Sequence, residues 1–116
     1  MENPKRGEMT IVLGEKRYQA RVTMDVVMRI ERSLGKGIIK IASSLSEADI
    51  STEQIVNIIT PVVRAGGNDI KDVDIKKDLW DAGLAEGIRV CSEIIALVLN
   101  AGEDVGNVEE AGQLNL

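Results

Sequence analysis

The sequence offers few side chains that could take part in catalysis. It contains no histidine, one cysteine (Cys91), one tyrosine (Tyr18) and one tryptophan (Trp80). A thiol nucleophile needs a nearby general base, and histidine is the usual one. Cys91 also falls on the apolar stripe of a predicted helix, where cysteine behaves as a small hydrophobic residue. We therefore predict no catalytic residue and no enzymatic activity.

The second candidate for chemistry is an acidic segment, residues 68–74, which contains three aspartates. A calcium loop of the EF-hand type needs oxygen ligands at its first, third and fifth positions and glycine at its sixth. Counted from Asp69, the third residue is Lys71 and the sixth is Asp74, so the spacing does not match. We predict no metal site and no cofactor, and we interpret Asp72 as capping the start of a helix.

Two further side chains have competing interpretations. Glu31 lies beside the apolar stripe of a predicted helix, with Arg29 and Arg32 as neighbours. We interpret it as an exposed surface charge, because unpaired buried glutamate is rare; the alternative is a buried or interface carboxylate. Trp80 is interpreted as a core residue or a docking anchor rather than as a platform for stacking a ligand.

The elements that carry these residues follow from the spacing of the apolar side chains. Residues 8–23 form two alternating runs joined at Gly14, which predicts a β-hairpin with one apolar and one basic face. A two-stranded hairpin alone is marginally stable in water. Its apolar face should therefore pack on helices or on a second copy of the chain.

Helical spacing and helix-end signals predict the first three helices. Thr23 is a good N-cap for the first helix, and Gly35 is a natural residue just past its end. Gly37 opens a second, short helix. Ser51 and Gln54 have the spacing of a capping box at the start of the third.

The third predicted helix contains a proline, and a glycine separates the two helices that follow it. Pro61 predicts a kink or an early end, because proline lacks a backbone donor and clashes with the preceding turn. Gly66 and Gly67 should end that segment. A fourth helix follows and breaks at Gly83, and a final helix spans about residues 84–100.

The length of 116 residues suits one domain, and aromatic residues make up only 2% of it, so aliphatic side chains must fill the core. We predict a mainly helical α+β fold, with an N-terminal β-hairpin followed by four to five helices in a small bundle. Residues 1–7 are predicted to be a flexible N-terminus, residues 8–101 a single domain and residues 102–116 an acidic disordered tail.

Hydropathy and charge exclude several further classes. No apolar run approaches the ~20 residues that a membrane-spanning helix needs, and the N-terminus lacks the pattern of a secretory signal. We therefore expect a cytoplasmic protein without a membrane partner. Residues 1–40 carry a net charge of +4, residues 41–101 one of −5 and residues 102–116 one of −4. Such an acidic remainder would repel a duplex, which argues against nucleic acid as a partner.

A succession of short sequence marks resembles a known family. Arg6-Gly7-Glu8 leads into a strand, Tyr18 lies in the return strand, and Glu31 is followed by Leu34-Gly35; a capped helix then ends on Arg64-Ala65-Gly66-Gly67, and Gly83-Leu84 opens the last helix. This resembles the small proteins encoded among the tail genes of gene transfer agents and siphophage-like prophages. They are often labelled tail tube proteins and are similar in size and gene position to phage tail assembly chaperones. The resemblance covers roughly residues 6–101, and Pro61 and Asn68-Asp69 depart from the pattern.

The resemblance implies a non-enzymatic assembly factor in the cytoplasm of a bacterial host. Such a protein binds the helices of the tape measure protein and helps to recruit tail tube protein subunits. Self-association stays open, and the alternatives are a structural tail subunit or a small DNA-associated regulator. An apolar surface that contains methionine can repack against varied helical targets. The predicted contact residues, any of which could instead belong to the core, are Met24, Met28, Leu84, Ile88, Ile95 and Val98.

Overall fold

A computed structural model describes residues 2–100 of the chain. Within this range a two-stranded antiparallel hairpin precedes five α-helices, which confirms the predicted α+β, mainly helical fold. Residues Pro4–Arg6 form one short 3₁₀-helix ahead of the hairpin. The flexible N-terminus predicted for residues 1–7 stays a prediction, and the predicted acidic tail lies outside the described residues.

The hairpin consists of β1 (Glu8–Leu13) and β2 (Lys16–Arg21). Leu13 pairs with Lys16 across a two-residue turn, in which Gly14 has a positive φ of 62° that suits glycine. One face carries buried apolar side chains, among them Ile11, and the other carries exposed side chains such as Arg17. The apolar face packs on the helices of the same chain.

The first three helices begin at the residues that the sequence indicated, and α1 also ends where it was predicted to end. In α1 (Met24–Leu34), the Thr23 side chain accepts a hydrogen bond from the Val26 N–H, and Gly35 ends the helix in the left-handed region. Helix α2 (Ile38–Ser46) begins after Gly37. Helix α3 (Thr52–Ala65) starts with the predicted capping box of Ser51 and Gln54.

Pro61 does not end α3, so of its two predicted effects, a kink or an early end, the early end is wrong and the kink stays a prediction. The helix continues through Pro61 to Ala65, and Gly66 follows as its C-cap. Residues on both sides of the proline, Ile58, Ile59, Val62 and Val63, are completely buried. Their burial stabilises the helical conformation by more than the loss of one backbone hydrogen bond costs.

The last two helices are α4 (Asp72–Ala82) and α5 (Leu84–Asn100). Gly83 separates the two helices, as the sequence predicted, and its φ is 98°. The cap of α4 differs from the prediction, because Lys71 is the N-cap and Asp72 is the first helical residue. The Lys71 N–H donates to the Asp74 carboxylate at 3.0 Å, so Asp74 supplies the capping oxygen.

The core surrounds α3, which contacts α1, α4, α5 and β2. Helix α2 packs on α5. The interior is almost entirely aliphatic, as expected for a chain without phenylalanine. No helix within residues 2–100 combines the length and apolarity needed to cross a bilayer.

Candidate partner-binding surface

The single thiol is buried in the centre of the molecule. Cys91 is fully enclosed, and its Sγ lies 3.8 Å from the Ile55 carbonyl oxygen. Burial raises the pKa of the Cys91 thiol to about 12, so the group is protonated at neutral pH and is a weak nucleophile. The interpretation of Cys91 as a small hydrophobic core residue is confirmed.

We expect Cys91 to react with a thiol reagent only when the fold opens. Labelling of the native protein should be at least about 100-fold slower than labelling in denaturant, because an opening free energy of about 3 kcal/mol already gives that ratio. Ser92 is exposed on the next position of α5, so the thiol introduced by Ser92→Cys is the matched control and should react quickly. Equal rates for the two thiols in the native protein would contradict this prediction.

Among residues 2–100 no group of three or more acidic, cysteine or histidine side chains could hold a metal ion. The most buried carboxylate has a structural partner instead. Asp78 on α4 accepts a hydrogen bond from the Tyr18 hydroxyl on β2. Burial, followed by the hydrogen bond to Asp78, raises the pKa of Tyr18 above its ordinary value. This pair fastens the hairpin to α4.

Glu31 has a structural role that neither interpretation anticipated. The residue is half-buried, and its Oε2 accepts a hydrogen bond from the Ile38 N–H at 2.9 Å. Ile38 is the first residue of α2, and Gly37 has no side chain with which to cap it. A carboxylate at a helix N-terminus is favoured both by the free N–H groups and by the helix dipole. Glu31 therefore caps α2 from α1.

The described surface carries large apolar side chains that the core does not enclose. Met24 and Met28 lie one turn apart on α1 and are 73% and 47% exposed. Others lie on α2, α4 and α5. Burying such side chains against a partner removes apolar area from water, which is the main favourable term in most protein association. The exposed large apolar residues on the described surface are Met24, Met28, Ile39, Val73, Trp80, Leu84 and Leu99.

The six predicted contact residues are distributed between the surface and the core. Met24, Met28 and Leu84 are exposed, whereas Ile88 and Val98 are partly buried and pack against the core. Ile95 is only 3% exposed and belongs to the core itself. The six lie on two helices, α1 and α5, and α1 packs chiefly on α3. Contact of these residues with a partner stays a prediction.

Among residues 2–100 Trp80 is the most exposed large apolar residue, at 84%, so it is not the core residue that one interpretation allowed. Ile75, Asp78 and Leu79 form the buried face of α4. At 100° per residue, that face turns Trp80 and Val73 outward. The spacing of Ile75 and Leu79 was the sequence signal that could have identified this surface.

A comparison with protein families places the chain in a biological context. A family model described as phage tail tube protein, GTA-gp10, matches residues 6–101. The matched range includes β1, β2 and all five described helices, and it confirms the resemblance noted in the sequence. Searches of curated proteins and of solved structures found no match. The chain therefore belongs to the phage tail family described as phage tail tube protein, GTA-gp10.

Proposed function

We propose that this protein is a tail assembly chaperone that binds helices of the tape measure protein and helps to recruit tail tube subunits, without catalysing a reaction. The observation that carries this proposal is the set of exposed large apolar side chains on α1, α2, α4 and α5. The fold already has a closed aliphatic core. These outer side chains are therefore available to a partner.

The composition of this surface suits a helical client. Met24 and Met28 are one turn apart on α1, a spacing that forms a continuous apolar strip along a helix. Methionine is flexible and polarisable, so one surface can accommodate several different helices. A protein that coats a long helical polypeptide would need such tolerance, because successive client segments differ in sequence.

A second candidate function is a structural subunit of the tail tube, which the description of the matching family favours. A tube built by closing a sheet into a ring requires many strands. The sheet in the described residues has two strands. This comparison ranks the chaperone first.

Co-expression with a fragment of the tape measure protein tests the proposal. We expect the natural chain to raise the soluble fraction of the fragment and to co-purify with it. The double variant Met24→Asp/Met28→Asp should lose most of this effect, because charge on the strip disfavours apolar contact. The control, Ser33→Asp/Ser43→Asp, adds the same charge at two exposed positions of α1 and α2 and should behave like the natural chain.

Two outcomes would overturn the proposal. If the natural chain left the solubility of the tape measure fragment unchanged, the chaperone function would be rejected. If electron microscopy of the purified protein showed stacked rings, the structural tail subunit would replace it. Thermal unfolding of both double variants should match that of the natural chain, since exposed substitutions usually change stability by less than about 0.5 kcal/mol.

A further inference from the structure

The outward face of α4 carries two large apolar side chains on one line. Val73 and Trp80 are 64% and 84% exposed and seven residues apart, which is about two helical turns or ~10 Å along the axis. Ile75 and Leu79 face the core on the opposite side. An exposed tryptophan has a large free energy to gain from burial, and tryptophan is enriched where binding energy concentrates in interfaces.

Two lysines lie on either side of this line. Lys76 and Lys77 follow Val73 by three and four residues, so their side chains flank the apolar line on both sides. Lys77 pairs with Asp81 at 3.0 Å, but in the described part of the chain no carboxylate lies within ion-pair distance of Lys76. We call Val73, Lys76, Lys77 and Trp80 the Trp80 ridge.

We propose that the Trp80 ridge binds an amphipathic helix whose apolar stripe is flanked by carboxylates. The stems of both lysines extend the apolar surface. The charge preference rests on Lys76, which has no ion-pair partner among the described residues, and on Lys77, whose pair with Asp81 is exposed and therefore weak. A helix is the fitting occupant because the surface of α4 offers no free backbone groups. An extended segment would bury unpaired N–H and C=O groups there, whereas a helix satisfies its own.

This inference deepens the proposed function and rests on it only for the identity of the natural client, a helix of the tape measure protein. It adds a selection rule to that function. Clients would be chosen by the charge beside their apolar stripe as well as by the stripe itself.

The single tryptophan provides a direct measurement. Two synthetic helical peptides with the same leucine stripe are titrated into the full chain, one with glutamate and the other with lysine on both flanks. The emission of Trp80 should shift to the blue as the glutamate peptide binds, because the indole leaves water. We expect this peptide to bind about 10-fold more tightly than the lysine peptide, a preference that weakens as salt is added.

Charge reversal on the ridge supplies the decisive comparison. Lys76→Glu/Lys77→Glu should invert the preference between the peptides. The matched control, Arg6→Glu/Lys40→Glu, changes the net charge equally at exposed positions on the 3₁₀-helix and α2 and should keep the preference of the natural chain. Equal affinity for the two peptides, no binding of either, or the same loss in both variants would overturn the inference. If the tape measure fragment were still solubilised in any of those cases, the proposed function would stand without the ridge.

Discussion

Gly66→Ala is expected to destabilise the fold by about 3 kcal/mol or more. A Cβ atom at Gly66 would lie 2.6 Å from the Ala20 Cα and closer still to the Gln19 carbonyl oxygen. Both atoms belong to the backbone of β2, so no side-chain rotation relieves the overlap. Asn68 also fixes the distance between β2 and α3, since its Nδ2 donates to the Gln19 backbone oxygen at 2.7 Å and to the Val63 backbone oxygen at 3.0 Å. The hairpin would have to separate from α3.

Gly37→Ala is the matched control for this prediction. Gly37 and Gly66 have similar φ angles of −76° and −80°, so alanine suits the backbone at both positions. At Gly37 the nearest atom to an added Cβ is the Glu31 Oε2 at 3.6 Å, an ordinary contact. We expect a loss of about 1 kcal/mol or less there. Urea unfolding followed by circular dichroism measures the free energy of unfolding of both variants. Equal losses of stability in Gly66→Ala and Gly37→Ala would show that the close approach of α3 to β2 does not limit stability.

The second large effect is expected from Tyr18→Phe, which removes the hydroxyl that bonds the buried Asp78 carboxylate. An unsatisfied buried acceptor costs about 1–3 kcal/mol, and more when it is charged. The free energy of unfolding should fall by that amount near neutral pH. A loss below about 0.5 kcal/mol would show that water or another group replaces the hydroxyl.

The same pair predicts how stability depends on pH. The pKa of Tyr18 in the folded protein is raised above the ordinary value of 10.0. Above pH 10 the unfolded chain therefore releases the phenol proton while the folded chain retains it. The stabilisation is full below that pH and is lost as the pH rises. In urea unfolding, the difference between the natural chain and Tyr18→Phe should be constant up to about pH 10 and should narrow above it. A constant difference throughout would contradict the assignment.

Cys91 changes the pH dependence of stability in the same way in the natural chain and in Tyr18→Phe. Its pKa rises from 9.0 to about 12 on folding, so stability should begin to decline above pH 9. This contribution is common to the natural chain and Tyr18→Phe and cancels in their difference. The comparison between the two chains therefore isolates Tyr18.

The sequence predicted most of the fold because the relevant signals are local. Thr23, Gly35, Ser51 and Gly83 mark helix ends through contacts within a few residues. Pro61 does not cause the early end that was one of its two predicted effects, because the burial of α3 at the centre of the core outweighs the cost within a single turn.

The candidate surface was harder to predict, because exposure depends on which face of each helix packs. Trp80 has a large apolar side chain of the kind that usually lies in a core. Ile75 and Leu79 determine the buried face of α4, however, and leave Trp80 exposed to water. The Tyr18–Asp78 hydrogen bond joins residues sixty positions apart. No local pattern indicates such a pair; only the packing of the hairpin against α4 creates it.

The cap that Glu31 provides makes the start of α2 dependent on α1. Gly37 contributes no capping side chain, so fraying at the end of α1 would remove the acceptor that the Ile38 N–H uses. The two helices should therefore open as one cooperative unit, and hydrogen exchange should give the same opening free energy for the amides at their junction. A client that ordered α1 would in this way also rigidify α2, and so transmit its binding to α5, on which α2 packs.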